Sequence, residues 1–444
     1  MGARVVVLGG GIAGESFVAA LAREAPDAEV TLVERELVGG ECSYWACIPS
    51  KTLLRPVELA AQARRTPGVR TAGVDPEGVF AWRDEIAGGG DASQVEWVEG
   101  LGVAFVRGEA VIAEPGLVRV GDRELPYDHL LVATGSDPAP PQLEGIEDAA
   151  HWTSRDATSA SEVPERLLVV GGGAVGCELA QLYARLGSEV VLVQSAETLL
   201  DRIDAEAGAV LAECLAEDGV EVRTGTRPSA VESGGGRVRL ACAGEGGGEL
   251  EGTHLLLATG RRARVEDLGL ERLPVTVERG AIQADERLSA ADGVWAAGDV
   301  TGVALFTHVG KYQARIAATN VAGGSAQADY RAIPAAIFTD PQVASVGDTS
   351  GEGATVTSTA TLASVSRAGT YSRPKPSGFV KLFADPARGV LVGAVVVGPE
   401  AGELLGQLTL AVRAEVTVEV LRDTIQPFPT FSEAVFFAAR DLPL

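Results

Sequence analysis

Two segments of this chain share one pattern, a short apolar run ending in spaced glycines, and this repeat restricts the possible folds more than any other feature. The first copy starts at Arg4 and reads Arg-Val-Val-Val-Leu-Gly-Gly-Gly-Ile-Ala-Gly; the second starts at Leu167 and reads Leu-Leu-Val-Val-Gly-Gly-Gly-Ala-Val-Gly. The spaced glycines are Gly9, Gly11 and Gly14, and Gly171, Gly173 and Gly176. A buried strand that turns on such glycines into a helix presents backbone N–H groups to a pyrophosphate. The sequence therefore predicts an α/β protein with two Rossmann-like dinucleotide-binding domains.

The strand after each glycine turn ends in a polar residue that can recognise a ribose. Glu34 closes the first such strand, where a carboxylate accepts hydrogen bonds from ribose hydroxyls. Gln194 follows the second, and its amide binds a hydroxyl without repelling a 2′-phosphate. Ser195 and Asp201 supply no positive charge to attract that phosphate, so the sequence does not decide between NADH and NADPH as the electron donor. Two dinucleotide folds favour a flavin paired with a nicotinamide.

A pair of cysteines follows the first nucleotide fold closely. Cys42 and Cys47 lie in Gly-Gly-Glu-Cys-Ser-Tyr-Trp-Ala-Cys-Ile-Pro-Ser-Lys, which runs from 39 to 51 and leads into a predicted helix. A four-ligand metal site usually needs a second such pair or nearby histidines, which are missing from this sequence, and no metal is predicted. The other simple interpretation is burial as apolar filler. Because phosphate-binding signals flank the pair, we favour a redox-active disulfide.

Length, charge and cysteine usage restrict the class of protein. A chain of 444 residues is expected to form two to four domains. Its net charge of −24 argues against nucleic acid and anionic membranes as partners. We expect neither a signal peptide nor a membrane span, since no apolar run approaches ~18 residues. Five thinly spread cysteines favour the cytoplasm, with Cys177, Cys214 and Cys242 as inert fillers.

The remaining segments indicate how the domains are completed. Short alternating strands within 102–125 indicate a β-meander, and the glycine-rich segment 232–252 indicates hairpins. Toward the C-terminus the pattern becomes antiparallel, with strands predicted at 379–384 and 390–398 and a helix at 401–414. This last region lacks a nucleotide signature, so we expect it to serve in assembly.

An ordered set of motifs carries a family resemblance. The set comprises the first glycine motif, Cys42–Cys47 with Ile-Pro-Ser-Lys51, Ala133-Thr-Gly135, the second glycine motif with Glu178, Ala258-Thr-Gly260 and Gly298-Asp299. It resembles the pyridine nucleotide–disulfide oxidoreductases, which include dihydrolipoamide dehydrogenase, glutathione reductase and mercuric reductase, and the similarity covers nearly the whole chain. The resemblance implies an FAD-binding domain at 1–145 and 280–325, interrupted by an NAD(P)-binding domain at 146–279. It also implies a C-terminal α+β dimerisation domain at 326–444, and hence a homodimer.

The resemblance implies roles for individual residues as well. Cys47 would be the charge-transfer thiolate against the flavin, and Cys42 the outer, interchange sulfur. Lys51 and Glu178 would pair beside the flavin, and Asp299 would hold its ribityl and phosphate region. The implied FAD contacts are Gly9, Gly11, Gly14, Glu34, Gly40, Lys51, Ala110, Thr134, Gly135, Asp299 and His308. The implied NAD(P) contacts are Gly171, Gly173, Gly176, Gln194 and Gly260.

Local physical chemistry agrees with these roles. The start of the helix that Cys47 opens carries partial positive charge, which lowers the pKa of a thiol. Lys51, one turn later, adds a full charge that can stabilise a reduced, anionic flavin. His308 falls in Leu305-Phe-Thr-His-Val309, which resembles the family helix that points at the flavin. A packing histidine at a helix start is the alternative interpretation of His308.

The chain departs from the family pattern at the residue expected to move protons. Disulfide-reducing members carry His-Pro-Thr-x-x-Glu near the C-terminus, and the His of the partner subunit acts as the base. Here the segment reads Phe428-Pro-Thr-Phe-Ser-Glu433, and the four histidines are elsewhere, at 129, 151, 254 and 308. A positioned base contributes ~10²–10⁴ in rate, so ordinary dithiol–disulfide turnover is expected to be crippled. In the redox loop, Tyr44 and Trp45 replace small residues, and Glu41 replaces Thr and adds negative charge near the FAD phosphates.

Phenylalanine at this position also resembles 2-ketopropyl-coenzyme M oxidoreductase/carboxylase. In that relative the missing base keeps protons from a carbanion that forms when the interchange thiolate cleaves a thioether. The relative also replaces the Glu with His, whereas Glu433 is retained here. Two residues distinguish this relative from the disulfide reductases, and the chain matches it at Phe428 but not at Glu433.

The sequence is compatible with three functions. The favoured one is an FAD enzyme that passes electrons from NAD(P)H through Cys42–Cys47 to an acceptor that needs no His base: a quinone or similar molecule, an activated disulfide, or a thioether. The second is a dihydrolipoamide dehydrogenase or other disulfide reductase with an atypical base, Glu433 or Tyr44, since burial can raise a carboxyl pKa toward neutrality. The third is a flavin-binding scaffold whose catalysis has decayed.

Overall fold

The computed structural model describes residues 2–244, 246–351 and 355–444. The strands are β1 (Arg4–Leu8), β2 (Glu29–Glu34), β3 (Ala104–Arg107), β4 (Ala110–Glu114), β5 (Leu117–Val120), β6 (Arg123–Pro126), β7 (His129–Val132), β8 (Ser136–Pro138), β9 (Arg166–Val170), β10 (Glu189–Val193), β11 (Glu221–Arg223), β12 (Thr226–Gly234), β13 (Arg237–Gly244), β14 (Gly248–Gly252), β15 (His254–Leu257), β16 (Arg261–Ala263), β17 (Val277–Glu278), β18 (Ala281–Ile282), β19 (Ser289–Ala291), β20 (Val294–Ala296), β21 (Pro334–Ile337), β22 (Gln342–Gly347), β23 (Val356–Thr361), β24 (Phe379–Asp385) and β25 (Val390–Gly398).

The α-helices are α1 (Ile12–Glu24), α2 (Gly40–Tyr44), α3 (Cys47–Arg65), α4 (Pro76–Ala87), α5 (Ala92–Gly100), α6 (Ser154–Ser159), α7 (Ala174–Leu186), α8 (Ala205–Glu217), α9 (Thr307–Val321), α10 (Ser366–Tyr371), α11 (Ala401–Arg413), α12 (Val418–Asp423) and α13 (Glu433–Asp441). Short 3-10 turns occur at Leu270–Arg272, Asp299–Thr301 and Leu362–Ser364. In the described part of the chain, no helix has both the length and the apolar character needed to span a bilayer.

The first of two compact units comprises Met1–Pro49, Asp84–Ala139 and Arg261–Asp329. Its main sheet has the order β19-β20-β7-β1-β2-β3, with every neighbouring pair parallel except β19 and β20. The central strand β1 is covered on both faces, because residues 5–8 are at most 2% exposed. Such a strand reads as a continuous apolar run in the sequence, as this one does.

Helix α1 shows why the first glycine motif is needed. The helix starts directly after Gly11, and an added Cβ at Gly14 would lie 2.0 Å from the Gly9 carbonyl oxygen. Only a residue without a side chain lets the helix approach the strand turn this closely. Phe17, Val18 and Leu21 then form its buried face, which packs in part against α9.

The second unit comprises Ser50–Arg83, Pro140–Gly260 and Tyr330–Leu444. A four-stranded parallel sheet, ordered β11-β10-β9-β15, carries the second glycine motif after β9. A five-stranded antiparallel sheet, ordered β21-β22-β25-β24-β23, forms the C-terminal part and is packed by α11 and α13.

The predicted α/β class is confirmed, and most predicted elements lie where the pattern placed them. The strand predicted to end at Glu34 is observed as β2, and the helix predicted at 401–414 is observed as α11, which ends one residue earlier. The described residues of the glycine-rich segment 232–252 contribute to the antiparallel strands β12, β13 and β14, as the predicted hairpins require, and residue 245 lies outside the described residues. The predicted meander is β4-β5-β6, whereas β3 belongs to the parallel sheet. The domain boundaries inferred from the sequence stay a prediction.

Candidate functional site

The two cysteines of the redox loop lie side by side in the first unit. Cys42 is within the short helix α2, Cys47 is the first residue of α3, and both are thiols in this structure. The hydroxyl oxygen of Thr307 is 3.3 Å from the Cys47 sulfur. A hydrogen bond with Cys47 and burial raise the pKa of the Cys42 thiol, while Thr307 and the charge of Lys311 oppose the rise. The pair has the proximity that disulfide exchange needs.

The first glycine turn forms an open cradle next to a carboxylate. An added Cβ at Gly11 would meet no heavy atom within 4 Å, so the space in front of this turn is empty of protein. Glu34 lies behind it: its Oε2 accepts a hydrogen bond of 2.7 Å from the Gly10 N–H, and its Oε1 accepts one of 2.7 Å from the Glu36 N–H. Gly40 packs against the turn, with an added Cβ at 2.9 Å from the Gly11 Cα.

Three strand ends meet at this edge of the sheet. Strands β20, β7 and β1 are neighbours, and the segments after them carry Asp299, Thr134 and Gly9. Asp299 accepts a hydrogen bond of 2.5 Å from Ser136, and Thr134 donates one of 2.6 Å to the Arg264 carbonyl. The carboxyl ends of parallel strands are where nucleotides bind in open α/β sheets.

The carboxylate of Glu41, next to Cys42, is neutralised by two arginines. Its Oε1 is 3.3 Å from an Arg264 nitrogen, and its Oε2 is 3.8 Å from an Arg261 nitrogen. Arg264 also donates to Asp137 at 2.8 Å. The sequence indicated added negative charge at Glu41, and the structure adds the two cations that offset it.

The second unit repeats the cradle with an amide in place of the carboxylate. An added Cβ at Gly173 would again meet nothing within 4 Å, and one at Gly176 would lie 1.8 Å from the Gly171 carbonyl oxygen. The Gln194 side-chain oxygen accepts from the Gly172 N–H at 3.0 Å, and its amide donates to Asp201 at 3.3 Å. This glutamine therefore takes the position relative to its turn that Glu34 takes in the first unit.

Lys51 and Glu178 form an ion pair within the second unit. The Lys51 Nζ is 2.7 Å from Glu178 Oε2, and the ammonium lies 4.7 Å from the centre of the Phe338 ring. Glu178 is buried, and its Oε1 accepts from the Phe338 N–H at 2.8 Å. Because both carboxylate oxygens are bound, the pair is held in one geometry.

These surroundings fit the two expected dinucleotides. Each cradle leaves room where an added Cβ meets no protein, each lies at the start of a thirteen-residue helix, and each has a carboxylate or amide side chain behind it. The individual contacts proposed from the sequence stay predictions, including those of Ala110, at the start of β4, and of Gly260. His308 stacks on Phe306 with ring centres 5.1 Å apart, and its predicted contact with FAD is likewise untested.

In the segment expected to carry the base, Phe428 itself is exposed, whereas residues 430–433 turn inward. Phe428 is 72% exposed. Glu433 begins α13, and its Oε2 is buried without a hydrogen-bond partner in the described part of the chain. Tyr44, the other candidate base, donates its hydroxyl to the carbonyls of Val38 and Gly90 at 3.1 and 3.3 Å.

Sequence reasoning missed several residues at these sites. They are Thr307, Lys311, Ser136, Arg261, Arg264 and Phe338. A usable signal existed for two of them, because Arg261 directly follows the Ala-Thr-Gly turn and Arg264 comes three residues later. Thr307 lies in the segment 305–309 that the sequence analysis singled out, but only His308 was considered there, and Lys311 carried no motif.

Comparisons with known proteins agree with this geometry. Residues 3–326 match the family model described as pyridine nucleotide-disulphide oxidoreductase, and residues 333–439 match the dimerisation domain of the same family. The chain is 35% identical to a mercuric reductase of Acidithiobacillus ferrooxidans, over 98% of this chain and 82% of the relative. It is 36% identical to a dihydrolipoyl dehydrogenase of Thermus scotoductus, over 99% and 97%.

The fold is similar to solved structures as well. The crystal structure of LpdA from Mycobacterium tuberculosis superposes with a TM-score of 0.86 at 31% identity, covering 99% of both chains.

Proposed function

Because this chain belongs to the pyridine nucleotide–disulfide oxidoreductases, a family of FAD-dependent enzymes that use NAD(P)H, we propose that it passes two electrons from NAD(P)H through Cys42 and Cys47 to a small-molecule acceptor without a histidine base. The proposal rests on a contrast between the redox loop and the segment near the C-terminus. The cysteine pair is intact beside Thr307, whereas the segment 428–433 presents Phe428 where the family has its base.

Bound FAD supplies two-electron exchange between the nicotinamide and the disulfide. The residues of the first unit that would hold it are those of the first cradle, with Glu34 and Asp299. The Lys51–Glu178 pair is assigned to the flavin by the family resemblance alone. In the reduced pair, the Cys42 sulfur attacks the acceptor and Cys47 then closes the disulfide by attacking Cys42. The Thr307 hydroxyl oxygen is 3.3 Å from the Cys47 sulfur, and when Cys47 is a thiolate, which can only accept, this hydroxyl can donate to it and stabilise its charge.

The acceptor is a molecule whose reduction does not require a proton from the protein at the moment of attack. A quinone or other redox-active compound, an activated disulfide with a stable thiolate leaving group, and a thioether all satisfy this condition. Ordinary disulfides with basic leaving thiolates are poor acceptors, because a missing base lowers the rate by ~10²–10⁴. Among these acceptors, the thioether is supported by the resemblance of Phe428 to the ketopropyl enzyme. Glu433 does not share that resemblance, because the ketopropyl enzyme has a His at that position.

A conventional disulfide reductase with Glu433 as the base is the second candidate. It is favoured by one observation, the buried Oε2 of Glu433 with no hydrogen-bond partner in the described residues. Tyr44 is a weaker candidate base, because its hydroxyl proton is engaged by two carbonyls. Steady-state turnover with lipoamide or glutathione disulfide, lost in Glu433→Gln, is the result that this candidate requires.

The first test reduces the purified holoprotein anaerobically with NADH or NADPH and maps the alkylated cysteines by mass spectrometry. We expect Cys42 and Cys47 to become modified only after reduction, and Cys42→Ala to abolish turnover of the acceptor. Unchanged turnover in Cys42→Ala would remove the disulfide from the mechanism and leave a reductase that uses the flavin alone.

The second test restores the family base with Phe428→His. We expect turnover of ordinary disulfides to rise by ~10²-fold or more, because a histidine there can exchange protons with the interchange thiol. Phe428→Tyr, which keeps the ring but titrates far above neutrality, is the matched control and should not show the rise. No gain in Phe428→His would mean that the aromatic redox loop, and not the missing base, limits access.

A further inference from the structure

The second glycine turn lies next to an amide, and a carboxylate seven residues further along the chain is hydrogen-bonded to that amide. Gln194 directly follows β10, and its side-chain oxygen accepts a hydrogen bond of 3.0 Å from the Gly172 N–H. Its amide nitrogen donates to Oδ1 of Asp201 at 3.3 Å. In a dinucleotide fold, the side chain at the end of this strand meets the 2′-hydroxyl of the adenine ribose. The amide and the carboxylate therefore lie together where NADH and NADPH differ.

The orientation of the Gln194 amide follows from its two partners. A backbone N–H can only donate and a carboxylate can only accept, so the oxygen faces Gly172 and the nitrogen faces Asp201. The nitrogen carries two hydrogens, and the bond to Asp201 uses one of them. The second hydrogen can be donated to a ribose hydroxyl oxygen, and the carboxylate can accept the proton of the same hydroxyl.

The segment that carries Asp201 is held against the glycine turn. The Leu200 N–H donates to the Gly172 carbonyl at 3.0 Å, and Leu199 and Leu200 are at most 3% exposed. An added Cβ at Gly172 would lie 2.6 Å from the Leu199 side chain. Gly172 thus binds the chain on both sides of this short segment, and the turn itself fixes the position of Asp201.

The charge of the segment is mostly negative. Residues 194–204 contain the carboxylates of Glu197, Asp201 and Asp204 and one cation, Arg202, which is exposed. Asp204 is offset by Lys381, whose Nζ is 2.8 Å from its Oδ2. Among these charged residues in the described chain, Asp201 is the one hydrogen-bonded to the side chain that directly follows β10. Its carboxylate is therefore the charge that a ribose at this strand end would meet.

Arg223 is a cation near the same strand end, and its guanidinium is already engaged. Its carbonyl accepts from the Gln194 N–H at 2.8 Å, because β10 and β11 are parallel neighbours. Its Nε donates to Glu221 at 2.7 Å, and its Nη1 donates to the Gly246 carbonyl at 2.9 Å. A 2′-phosphate would have to compete with Glu221 for this guanidinium.

We propose that Asp201 makes the enzyme select NADH over NADPH. Its carboxylate accepts the proton of the ribose 2′-hydroxyl, and Gln194 donates to the oxygen of that hydroxyl and holds the carboxylate in place. A 2′-phosphate would instead meet a like charge at this position. The inference rests on the proposed function in taking the second cradle as the nicotinamide site, and it names the electron donor.

A preference that arises from charge repulsion has a characteristic salt dependence. Salt screens the repulsion between an exposed carboxylate and a 2′-phosphate, so the phosphorylated nucleotide should gain affinity relative to the unphosphorylated one as the salt concentration rises. A phosphate site built on Arg202 or Arg223 would show the opposite trend. The sign of the salt effect therefore distinguishes the carboxylate from either arginine.

The test measures binding of ADP-ribose and 2′-phospho-ADP-ribose to the oxidised, FAD-loaded protein by calorimetry, at ionic strengths below and above ~0.15 M. These two probes differ only in the phosphate. The parent protein should bind ADP-ribose ~10-fold or more tightly, with the ratio falling at high salt. Asp201→Asn, which keeps the shape and removes the charge, should lower the ratio by ~5-fold or more and weaken ADP-ribose itself by ~3–10-fold.

A second substitution tests whether the carboxylate alone is responsible. Gln194→Glu in the Asp201→Asn background returns a carboxylate to the position that Glu34 has in the first unit, and it should restore the preference. Glu197→Gln is the matched control, because it removes a carboxylate of the same segment that lies beside Gly225, 3.3 Å from an added Cβ there. It should leave the ratio unchanged.

The inference is overturned if the parent protein prefers the phosphorylated probe, or if Asp201→Asn leaves the ratio unchanged. Neither measurement depends on the cysteines, so Cys42→Ala should show the same ratio as the parent. If Cys42→Ala also keeps full acceptor turnover while the parent prefers ADP-ribose, the proposed electron path fails and the assignment of Asp201 stands.

Discussion

Burial raises the pKa of Glu15, and this shift makes the stability of the protein depend on pH. Its pKa rises from 4.5 to about 7 on folding, so the folded state binds its proton more tightly than the unfolded chain does. A raised pKa contributes stability that is complete below the unfolded value and is lost as the pH rises through the folded value. The native protein therefore loses this contribution between about pH 4.5 and 7.

Glu15→Gln is expected to stabilise the holoprotein above pH 7. The gain should be ~1–3 kcal/mol, less than the full shift implies because the side chain is partly exposed and Lys311 is close. Thermal unfolding at pH 5 and pH 8.5 checks it: the variant should match the parent at pH 5 and melt higher at pH 8.5. Glu24→Gln, at the exposed end of the same helix, is the control, and equal shifts in both variants would contradict the argument.

At the scale of elements, the glycines of one strand–turn–helix unit look equivalent in the sequence but have different roles in the structure. Gly14 is required by the close approach of α1 to the turn, whereas Gly11 faces empty space. The same division holds between Gly176 and Gly173 in the second unit. Packing and ligand binding are therefore separable by substitution.

Gly14→Ala and Gly11→Ala are expected to fail in different ways. Gly14→Ala would push α1 away from the backbone of the Gly9 turn and should lower the free energy of unfolding by ~1–3 kcal/mol or more, even without cofactor. Gly11→Ala should leave the melting temperature of the cofactor-free protein unchanged and reduce its FAD content several-fold. Thermal unfolding and the FAD-to-protein ratio measure the two effects, and normal FAD content in Gly11→Ala would show that the cradle is not the pyrophosphate site.

The elements were largely predictable because their signals are local. Apolar runs and spaced glycines indicated β1, α1, β9 and α7 from neighbouring residues alone. The ion pairs of Glu41 were not predictable, because Arg261 and Arg264 are more than two hundred residues away along the chain. An open groove lined by residues of α1, α5 and α9 was missed for the same reason.

On the scale of the whole molecule, apolar side chains stay exposed where the dimerisation domain model matches. Ile425 is 94% exposed, Phe428 72% and Leu410 68%, all within residues 333–439. Large apolar side chains that stay exposed in a domain that serves dimerisation in the family are expected to lie in the contact surface. We infer that a second copy of the chain covers them, and that the working enzyme is a homodimer.

Ile425→Asp should weaken that dimer at least tenfold, because a charge would be buried without a partner. Sedimentation velocity over a dilution series measures the change. Val277→Asp, at an exposed position in the first unit, is the control and should leave the dimer intact. A parent protein that stays monomeric at every concentration would contradict the inferred assembly.

Glu34 has a consequence for the order of events in cofactor capture. Its two carboxylate oxygens already hold the amides of Gly10 and Glu36, so the turn is fixed by the chain itself. The loss of conformational freedom in this loop therefore falls on folding, and little of it is left for the encounter with the dinucleotide. We therefore expect dinucleotide binding to need little rearrangement of this turn.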